Sequence, residues 1–465
     1  MRKLLLINPG HLASPVWGWR SFPAHLHHMW SALIADGAIE VVDYNVEFGA
    51  PGPEARADFL GRLREDLSKR EFDVAGISCW SSLNVTASHA VSRIIREIRP
   101  GVPIIVGGYH PSARPGDFPA ELFDVVVRGC GIGVLRDAMR GERLDPGQMN
   151  KTGDSPQLAR PRWNGFPYGV TGSAMGIYLS RGCPYRCSFC METVMGRKWM
   201  ALDPLESAEA VVEAINVTRT PFLQLYDPLF GLNPRWRRAF WDALLGMRKR
   251  FNKKTFIWAQ IRSDSITPDD VKRMRKFRVQ LAIGLEAASA SILRVMNKSR
   301  NPERYLKKFA EMSDYLDREK THHQAFLIFN HPGETPQTLD EARNWLLHLL
   351  AKKKKSYLTL LGQRYMYFPG SPLDEKWGEL KEMHGTRVLH PSWWLEEDDH
   401  HDKAGAVIPS AALEKAGQLE RWKDIMLEAN ARNLEVASKA NRPDVETFGK
   451  QFSALNLQKT VDSRK

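Results

Sequence analysis

The apolar positions of the chain fall into two successive series, in which short strand-like runs alternate with longer stretches of helical spacing. In the first series, strands are predicted at Leu4–Asn8, Ile39–Asp43, Val74–Ser78, Pro103–Val106 and Val125–Arg128. Helices are predicted between them at Ala24–Ala35, Glu54–Lys69, Val85–Arg99 and Ile132–Arg140. This alternation predicts an open, doubly wound, mostly parallel sheet over residues 1–145. Ligands of such sheets bind beyond the carboxyl ends of the strands. Those ends carry Asn8-Pro9-Gly10, Asp43, Ser78-Cys79-Trp80-Ser81, Gly107-Gly108-Tyr109-His110-Pro111 and Gly129-Cys130-Gly131. Paired glycines let a backbone turn tightly and approach a bulky ligand closely. No G-x-G-x-x-G follows the first strand, which counts against a nicotinamide site.

Residues 146–172 are rich in Pro, Gly and polar side chains and read as a linker, with Trp163 and Phe166 able to pin it to a surface. The second series begins at Gly176. Its strands are predicted at Gly176–Leu179, Phe222–Tyr226, Thr255–Ile261, Gln280–Gly284, Gln324–Phe329 and Leu358–Phe368. Its helices are predicted at Pro204–Val217, Pro234–Arg250, Pro268–Phe277, Asn301–Leu316 and Thr335–Leu350. Asp203-Pro204, Asn233-Pro234 and Thr267-Pro268 each place a capping side chain before a first-turn proline. Six strand–helix units over residues 173–375 predict an incomplete parallel (β/α)6 barrel, with function at its C-terminal mouth. From 376 to 465 the alternation is lost; Ala411–Ala440 reads as one or two helices and the polar end as frayed.

Charge and composition narrow the class. No apolar run approaches the roughly 18 residues of a membrane span, and Asn8-Pro9-Gly10 ends the first run too early for a signal peptide. A cytoplasmic protein is expected; five clustered cysteines are too few for a disulfide framework. The formal charge of +12 is dispersed and reads as a solvated basic surface, with a carboxylated or phosphorylated small substrate as its other meaning. Lys352-Lys353-Lys354-Lys355 is the one pure run, placed at a helix C-terminus where the dipole favours cations. His25-x-His27-His28, His322-His323 and the acidic stretch Glu396–Asp402 lack ligand spacing for a defined metal site and read as solvated or substrate-adjacent surface. Tyr365, Tyr367, Trp393 and Trp394 read as barrel-closing core.

The most specific feature is Cys183-Pro184-Tyr185-Arg186-Cys187-Ser188-Phe189-Cys190, three of the five cysteines in the spacing C-x3-C-x2-C. Three thiolates on a short loop can hold an iron–sulfur cluster, which ordinarily takes four protein ligands. A missing fourth leaves one iron open, as catalytic metal sites do. The loop directly follows the first barrel strand, where barrel chemistry is done.

This loop, with the aromatic Phe189 before its last cysteine, resembles the radical S-adenosylmethionine superfamily. The resemblance continues at Leu225–Phe230, Trp258–Arg262, Ile283–Ser289, Asn330–Thr335 and Pro369–Leu373. These segments are similar to a branch with an N-terminal cobalamin-binding domain, and Val106-Gly107-Gly108-Tyr109-His110-Pro111 matches that domain. The resemblance covers residues 1–375. Two departures stand out. The Gly-Glu-Gly-Glu-like turn of the branch reads Gly129-Cys130-Gly131-Ile132, and no D-x-H-x-x-G cobalt-ligand pattern occurs, as is usual in this branch.

The resemblance implies a Rossmann-like cobalamin-binding domain followed by a radical S-adenosylmethionine barrel. Cys183, Cys187 and Cys190 would hold a four-iron, four-sulfur cluster, whose open iron chelates S-adenosylmethionine for cleavage to a 5′-deoxyadenosyl radical. Phe189 would flank the adenine. Glu286 would hydrogen-bond S-adenosylmethionine, with a salt bridge to Arg262 as the structural alternative; Asp227, Gln260, Arg262 and Ser289 are further contacts of that cofactor. Asn8, Ser78, Trp80, Gly107, Gly108, His110 and Gly129 are the cobalamin candidates, Trp80 lying against the lower corrin face. The reaction implied is methyl transfer from methylcobalamin to an unactivated carbon, less often phosphorus, of a small metabolite. A flavodoxin or ferredoxin would supply electrons. The competing readings are a radical cyclase, rearranging or oxidising enzyme that does not methylate, and an iron–sulfur protein that binds nucleic acid, for which no RNA-binding module is visible.

Overall fold

Leucine and isoleucine fill strand β1 (Leu4–Asn8), and all five of its residues are buried, as are all five of β3 (Val74–Ser78). Strands covered on both faces belong at the centre of a parallel sheet. In the computed structural model the first sheet runs β2 (Ile39–Asp43), β1, β3, β4 (Ile104–Gly107), β5 (Val125–Arg128), β6 (Met149–Lys151). All its pairs are parallel, with Leu4 opposite both Ile39 and Val74. Strand order reverses at β1, which has β2 on one side and β3 on the other, so a crevice opens at their carboxyl ends. The intervening helices are α1 (Ala24–Leu33), α2 (Tyr44–Phe48), α3 (Arg56–Lys69), α4 (Val85–Ile98), α5 (Tyr109–Ala113) and α6 (Ile132–Arg140).

The described residues are 2–13, 22–49, 51, 55–142, 149–151, 158–168, 175–196, 198–354 and 358–439. Within them the doubly wound sheet stands where the hydrophobic pattern places it. Strand β6 falls in the expected linker; three residues are too few to show a period, and it is found only by its pairing with β5. Trp163 and Phe166 are buried against Phe22 and His27, so that part of the segment is pinned as expected. The other linker residues, 146–148, 152–157 and 169–172, lie outside the described residues, as does the polar end from 440.

The second sheet comprises β7 (Met175–Ile177), β10 (Phe222–Leu225), β11 (Phe256–Ile261), β12 (Arg278–Glu286), β13 (His323–Phe329) and β14 (Leu358–Arg364), paired in that order. Helices α7 (Pro204–Thr218), α8 (Pro234–Gly246), α9 (Pro268–Met274), α10 (Ala290–Val295), α11 (Pro302–Arg318) and α12 (Pro336–Ala351) alternate with them, giving the incomplete six-unit barrel. The small antiparallel pair β8 (Ser180–Arg181) and β9 (Met200–Ala201) is inserted after β7. The caps are made as the sequence implies: Asp203 accepts from the Leu205 and Glu206 amides, Asn233 from those of Arg235 and Trp236, and Thr267 from that of Asp270.

The lysine run stands at the C-terminus of α12, as expected. Lys353, just beyond the helix, is buried and bonded to Asp314 at 2.7 Å. Lys355 lies outside the described residues. The C-terminal segment holds α13 (Trp377–His384), α14 (His400–Ala404), α15 (Ala411–Lys415) and α16 (Arg421–Lys439). Backbone proximity divides the chain into two units. The first contains Met1–Ile257, Met366–Glu379 and Val388–Val407; the second contains Trp258–Tyr365, Leu380–Arg387 and Ile408–Lys465.

Candidate active site

Within the first unit a cavity, partly open to solvent, lies at the crevice predicted by the strand order. Its wall from the first sheet is made of strand-end residues: Ser78 and Trp80 after β3, Gly107, Gly108 and Tyr109 after β4, and Gly129, Cys130 and Gly131 after β5. Its apolar lining includes Leu6, Gly76, Ile105, Val127 and Leu135. A Cβ on Gly76 would come within 2.9 Å of Leu135, so a larger residue there would crowd this lining. Gly108 has φ +126°, and a Cβ on it would sit 2.2 Å from the Cys79 carbonyl oxygen, so only glycine lets this loop pass so near the end of β3.

The opposite wall comes from the segment carrying the cysteines: Tyr178, Arg181, Gly182, Glu192, Met195 and Lys198. The two walls touch. The Tyr109 hydroxyl donates to the Glu192 carboxylate. Burial pushes the Glu192 carboxyl up to about 7, opposed by that bond and by the Arg181 charge.

Helix α1 supplies the third side through His25, His28 and Met29. Of the two readings of this histidine cluster, His25 and His28 depart from the solvated one and line the cavity. Burial, with the Arg181 charge, holds His28 down to about 3, and its Nε2 accepts from Arg181 Nη1 at 3.3 Å. The same Nη1 reaches the Cys130 sulfur at 3.7 Å. Burial holds His25 down to about 4, and its ring stacks on Trp80 with centroids 5.1 Å apart. His27 points away, its Nε2 donating to the Arg162 carbonyl at 2.6 Å. His323 and His400 are likewise fully buried, the first between Ser313 and the Thr321 carbonyl, so neither belongs to a solvated loop. The spacing of His25 and His28, three apart on the helix after β1, was the available signal that both face the strand ends.

The cysteine loop is anchored at its base. Asp227, just beyond β10 and almost fully buried, accepts from the Leu179 amide at 2.7 Å and from the Ser180 hydroxyl at 2.7 Å. Burial pushes its carboxyl up to about 6. Gly182 follows with φ +77°, where a Cβ would meet the Lys198 carbonyl oxygen at 2.2 Å. Beyond the pairing of Ser180 with Ala201, the Cys190 amide closes a turn onto the Cys187 carbonyl at 3.1 Å. Cys187 is buried, and Cys183 and Cys190 are half-buried. The returning chain holds the loop's far side: the Leu373 amide donates to the Ser188 carbonyl at 3.0 Å. Tyr367, Trp393 and Trp394 are buried in this unit, and the Trp394 indole donates to Asp117 at 2.7 Å.

Among the described residues no three His, Cys, Asp or Glu side chains converge on one metal-ion position. A cluster makes a different demand, one thiolate for each of three irons. The donor set suits it. Burial first, then the neighbouring thiols and Glu192, push the Cys190 thiol up to about 12, so a bound cation is what would keep it ionised. Phe189 is half-buried on this loop and does not line the cavity.

Two cobalamin candidates are not brought to the cavity. Asn8 is turned onto Asp43 at 2.9 Å and accepts from the Gly10 amide, bracing the β1 turn. His110 is buried between Ser82 Oγ at 2.7 Å and Asp117 at 2.9 Å. Ser78, Trp80, Gly107, Gly108 and Gly129 do line it, together with His25, His28 and Tyr109, which the sequence named without a cofactor role, and with Tyr178, Arg181 and Glu192, which it did not single out.

The remaining candidates belong to the second unit. Glu286, at the end of β12, is buried with φ +69°, an unusual conformation for a residue with a side chain. Its partner is Lys298, at 2.9 Å, and not Arg262. Arg262 is instead held bidentately by Asp264, both bonds at 2.9 Å, and donates to the Lys298 carbonyl at 2.9 Å. Ser289 bonds Glu341 at 2.7 Å. Gln260 lies on the half-exposed face of β11, on the same side as Trp258. Tyr365 is buried in this unit.

Residues 177–346 match the radical SAM superfamily and residues 26–138 match the B12 binding domain. An uncharacterised methyltransferase of Pyrococcus horikoshii is 25% identical over 269 residues, 51% of this chain and 56% of that one. The anaerobic magnesium-protoporphyrin IX monomethyl ester cyclase of Cereibacter sphaeroides is 22% identical over 320 residues, 62% of this chain and 52% of that one. The chain thus spans little more than half the length of either relative. Among solved structures, the radical S-adenosylmethionine methyltransferase TsrM from Kitasatospora setae, bound to tryptophan and a cofactor analogue, superimposes with a TM-score of 0.69. Its identity is 16%, with 93% of this chain and 89% of that one covered, a likeness of fold. The two domains imply a four-iron, four-sulfur cluster with S-adenosylmethionine in one and cobalamin in the other. Residues 177–346 thus form a radical SAM superfamily region and residues 26–138 a B12-binding domain, joined in one chain.

Proposed function

We propose that this protein is a cobalamin-dependent radical S-adenosylmethionine methyltransferase acting on an unactivated carbon, or less readily a phosphorus, of a small metabolite. The observation that supports it is the shared cavity: the strand ends of the B12-type sheet and the cysteine segment line one space and are joined across it by Tyr109 and Glu192. A methyl donor and a radical generator need such a common space, because a substrate radical must meet its methyl group before solvent does.

Residues 1–145 form the cobalamin-binding part, 173–375 the radical barrel and 376–465 the helical end. Cys183, Cys187 and Cys190 hold the cluster, and Ser78, Trp80, Gly107, Gly108 and Gly129 cradle the corrin. Phe189, Gln260, Arg262, Glu286 and Ser289 serve S-adenosylmethionine. Asp227 is a positioning residue, since its oxygens already hold Leu179 and Ser180. When bound, these groups supply a 5′-deoxyadenosyl radical and a transferable methyl group. Arg181 hydrogen-bonds His28 and Cys130 while its charge also acts on Glu192, and Lys198 lines the same cavity; these two cations support an anionic substrate. We place the work in the cytoplasm, with a flavodoxin or ferredoxin as electron donor; among the described residues no helix is long and apolar enough to cross a membrane.

The test is anaerobic reconstitution with iron, sulfide and cobalamin, followed by turnover of methyl-labelled S-adenosylmethionine with a small-metabolite extract. Labelled product is expected with methionine, S-adenosylhomocysteine and 5′-deoxyadenosine. Absence of label in any product overturns methylation. The similarity to a cyclase keeps a ring-forming radical reaction as the second reading; its mark is 5′-deoxyadenosine without S-adenosylhomocysteine.

A further inference from the structure

Trp80 is the one tryptophan among the exposed large apolar side chains of the described structure, at 36% exposure, and it lines the cavity. An indole left uncovered is held in place only by what packs behind it. Here the His25 ring stacks on the indole with an interplanar angle of 24°, Tyr109 meets it in a T-shaped contact at 4.8 Å and 86°, and Tyr178 is tilted beside it at 6.5 Å. The His25 Nε2 is enclosed and within hydrogen-bond reach of no described residue.

We infer that His25 is a positioning residue: its flat ring backs Trp80 and fixes the indole as an apolar floor for the corrin, in place of a protein nitrogen on cobalt. The inference rests on the reading that this cavity takes cobalamin. Geometry favours support over ligation. The lone pair of an imidazole nitrogen lies in the ring plane. In a stack only 24° from parallel it runs alongside the indole and not through it. A cobalt above the open face of Trp80 is therefore out of its reach. The desolvated, unpartnered nitrogen keeps the ring neutral, so the stack carries no charge toward the cofactor.

The test uses the full-length, cluster-reconstituted protein labelled with nitrogen-15 histidine, titrated anaerobically with hydroxocobalamin and then reduced to the cobalt(II) state. Wild type should bind the corrin and show no nitrogen splitting in its paramagnetic resonance spectrum. His25→Phe, which keeps a flat ring, should match wild type in affinity and spectrum. His25→Ala should bind about five-fold more weakly, the worth of one aromatic pair, with a broadened cobalt signal. A splitting that reports a labelled histidine overturns the inference by putting a protein nitrogen on cobalt. So does His25→Ala indistinguishable from wild type, or His25→Phe as impaired as His25→Ala. If His25→Ala fails to take up a cluster and so has not folded, His25→Phe decides alone. Wild type that takes up the cluster but no corrin overturns the cobalamin reading itself, and this inference with it.

Discussion

Asp227 holds Ser180, three residues ahead of the first loop cysteine, through a 2.7 Å hydrogen bond from the Ser180 hydroxyl, while its other oxygen takes the Leu179 amide. The loop is thus aligned by a carboxylate that does not itself belong to it. In Asp227→Asn one acceptor becomes a donor and one of the two bonds is lost, at a cost of about 2 kcal/mol for a charge-assisted bond. The expected outcome is reduced iron and sulfide content after reconstitution, with cobalamin uptake retained. Full iron content in Asp227→Asn would contradict the anchoring role.

Gly108→Ala forces a side chain into a left-handed conformation and against the Cys79 carbonyl. A loss of about 3 kcal/mol is expected. Denaturant unfolding of the apo-protein measures it, and an optical titration should show that corrin binding falls as well. Gly131→Ala is the matched control, because its nearest neighbour would be 3.8 Å away.

The buried pair Glu286–Lys298 makes a prediction about coupling. Lys298→Met strands a carboxylate in a dry site and should destabilise by about 3–5 kcal/mol. Glu286→Gln combined with Lys298→Met should recover most of that loss in a double-mutant cycle. Additive losses in the cycle would show that the 2.9 Å contact carries no coupling.

Glu334 predicts a pH dependence. It is fully enclosed, accepts from the Asn330 amide at 2.5 Å, and burial raises its carboxyl from 4.5 to about 8. A group raised on folding binds its proton more tightly in the native state. Its contribution is therefore complete below about 4.5 and is lost as pH rises toward about 8. Stability should fall across that window with a slope of at most about 1.4 kcal/mol per pH unit. Glu334→Gln, which resembles the protonated form, should flatten the profile. An unchanged slope in that variant would assign the dependence to other groups.

Much of this architecture is legible without coordinates because it is written in local rules. Continuous apolar runs mark β1 and β3, and Asp203, Asn233 and Thr267 announce helices that do start there. The cysteine loop is equally plain, since its chemistry demands a fixed spacing. What the sequence conceals is orientation. His110 stands in a conspicuous motif yet turns inward to Asp117, while His25, in an unremarkable helix, faces the cavity. For His110 the deciding partners are Ser82 and Asp117, which the motif itself does not contain, whereas for His25 only its spacing from His28 gave a local hint. Glu286 shows the same limit. Arg262 is the nearer guess by residue type, but Asp264, two residues on, already occupies it. The carboxylate takes a lysine from beyond α10.

The bond from Leu373 to Ser188 carries a consequence for the order of events on the ribosome. The cysteine segment emerges early, but the stretch that covers its far side is made only after the whole second series of strands and helices. Until residue 373 has left the exit tunnel, the Ser188 carbonyl lacks this partner and the loop is without that tie. Cluster insertion is then best timed to that interval. A machine that delivers iron and sulfur would find the loop accessible during synthesis and strapped down afterwards.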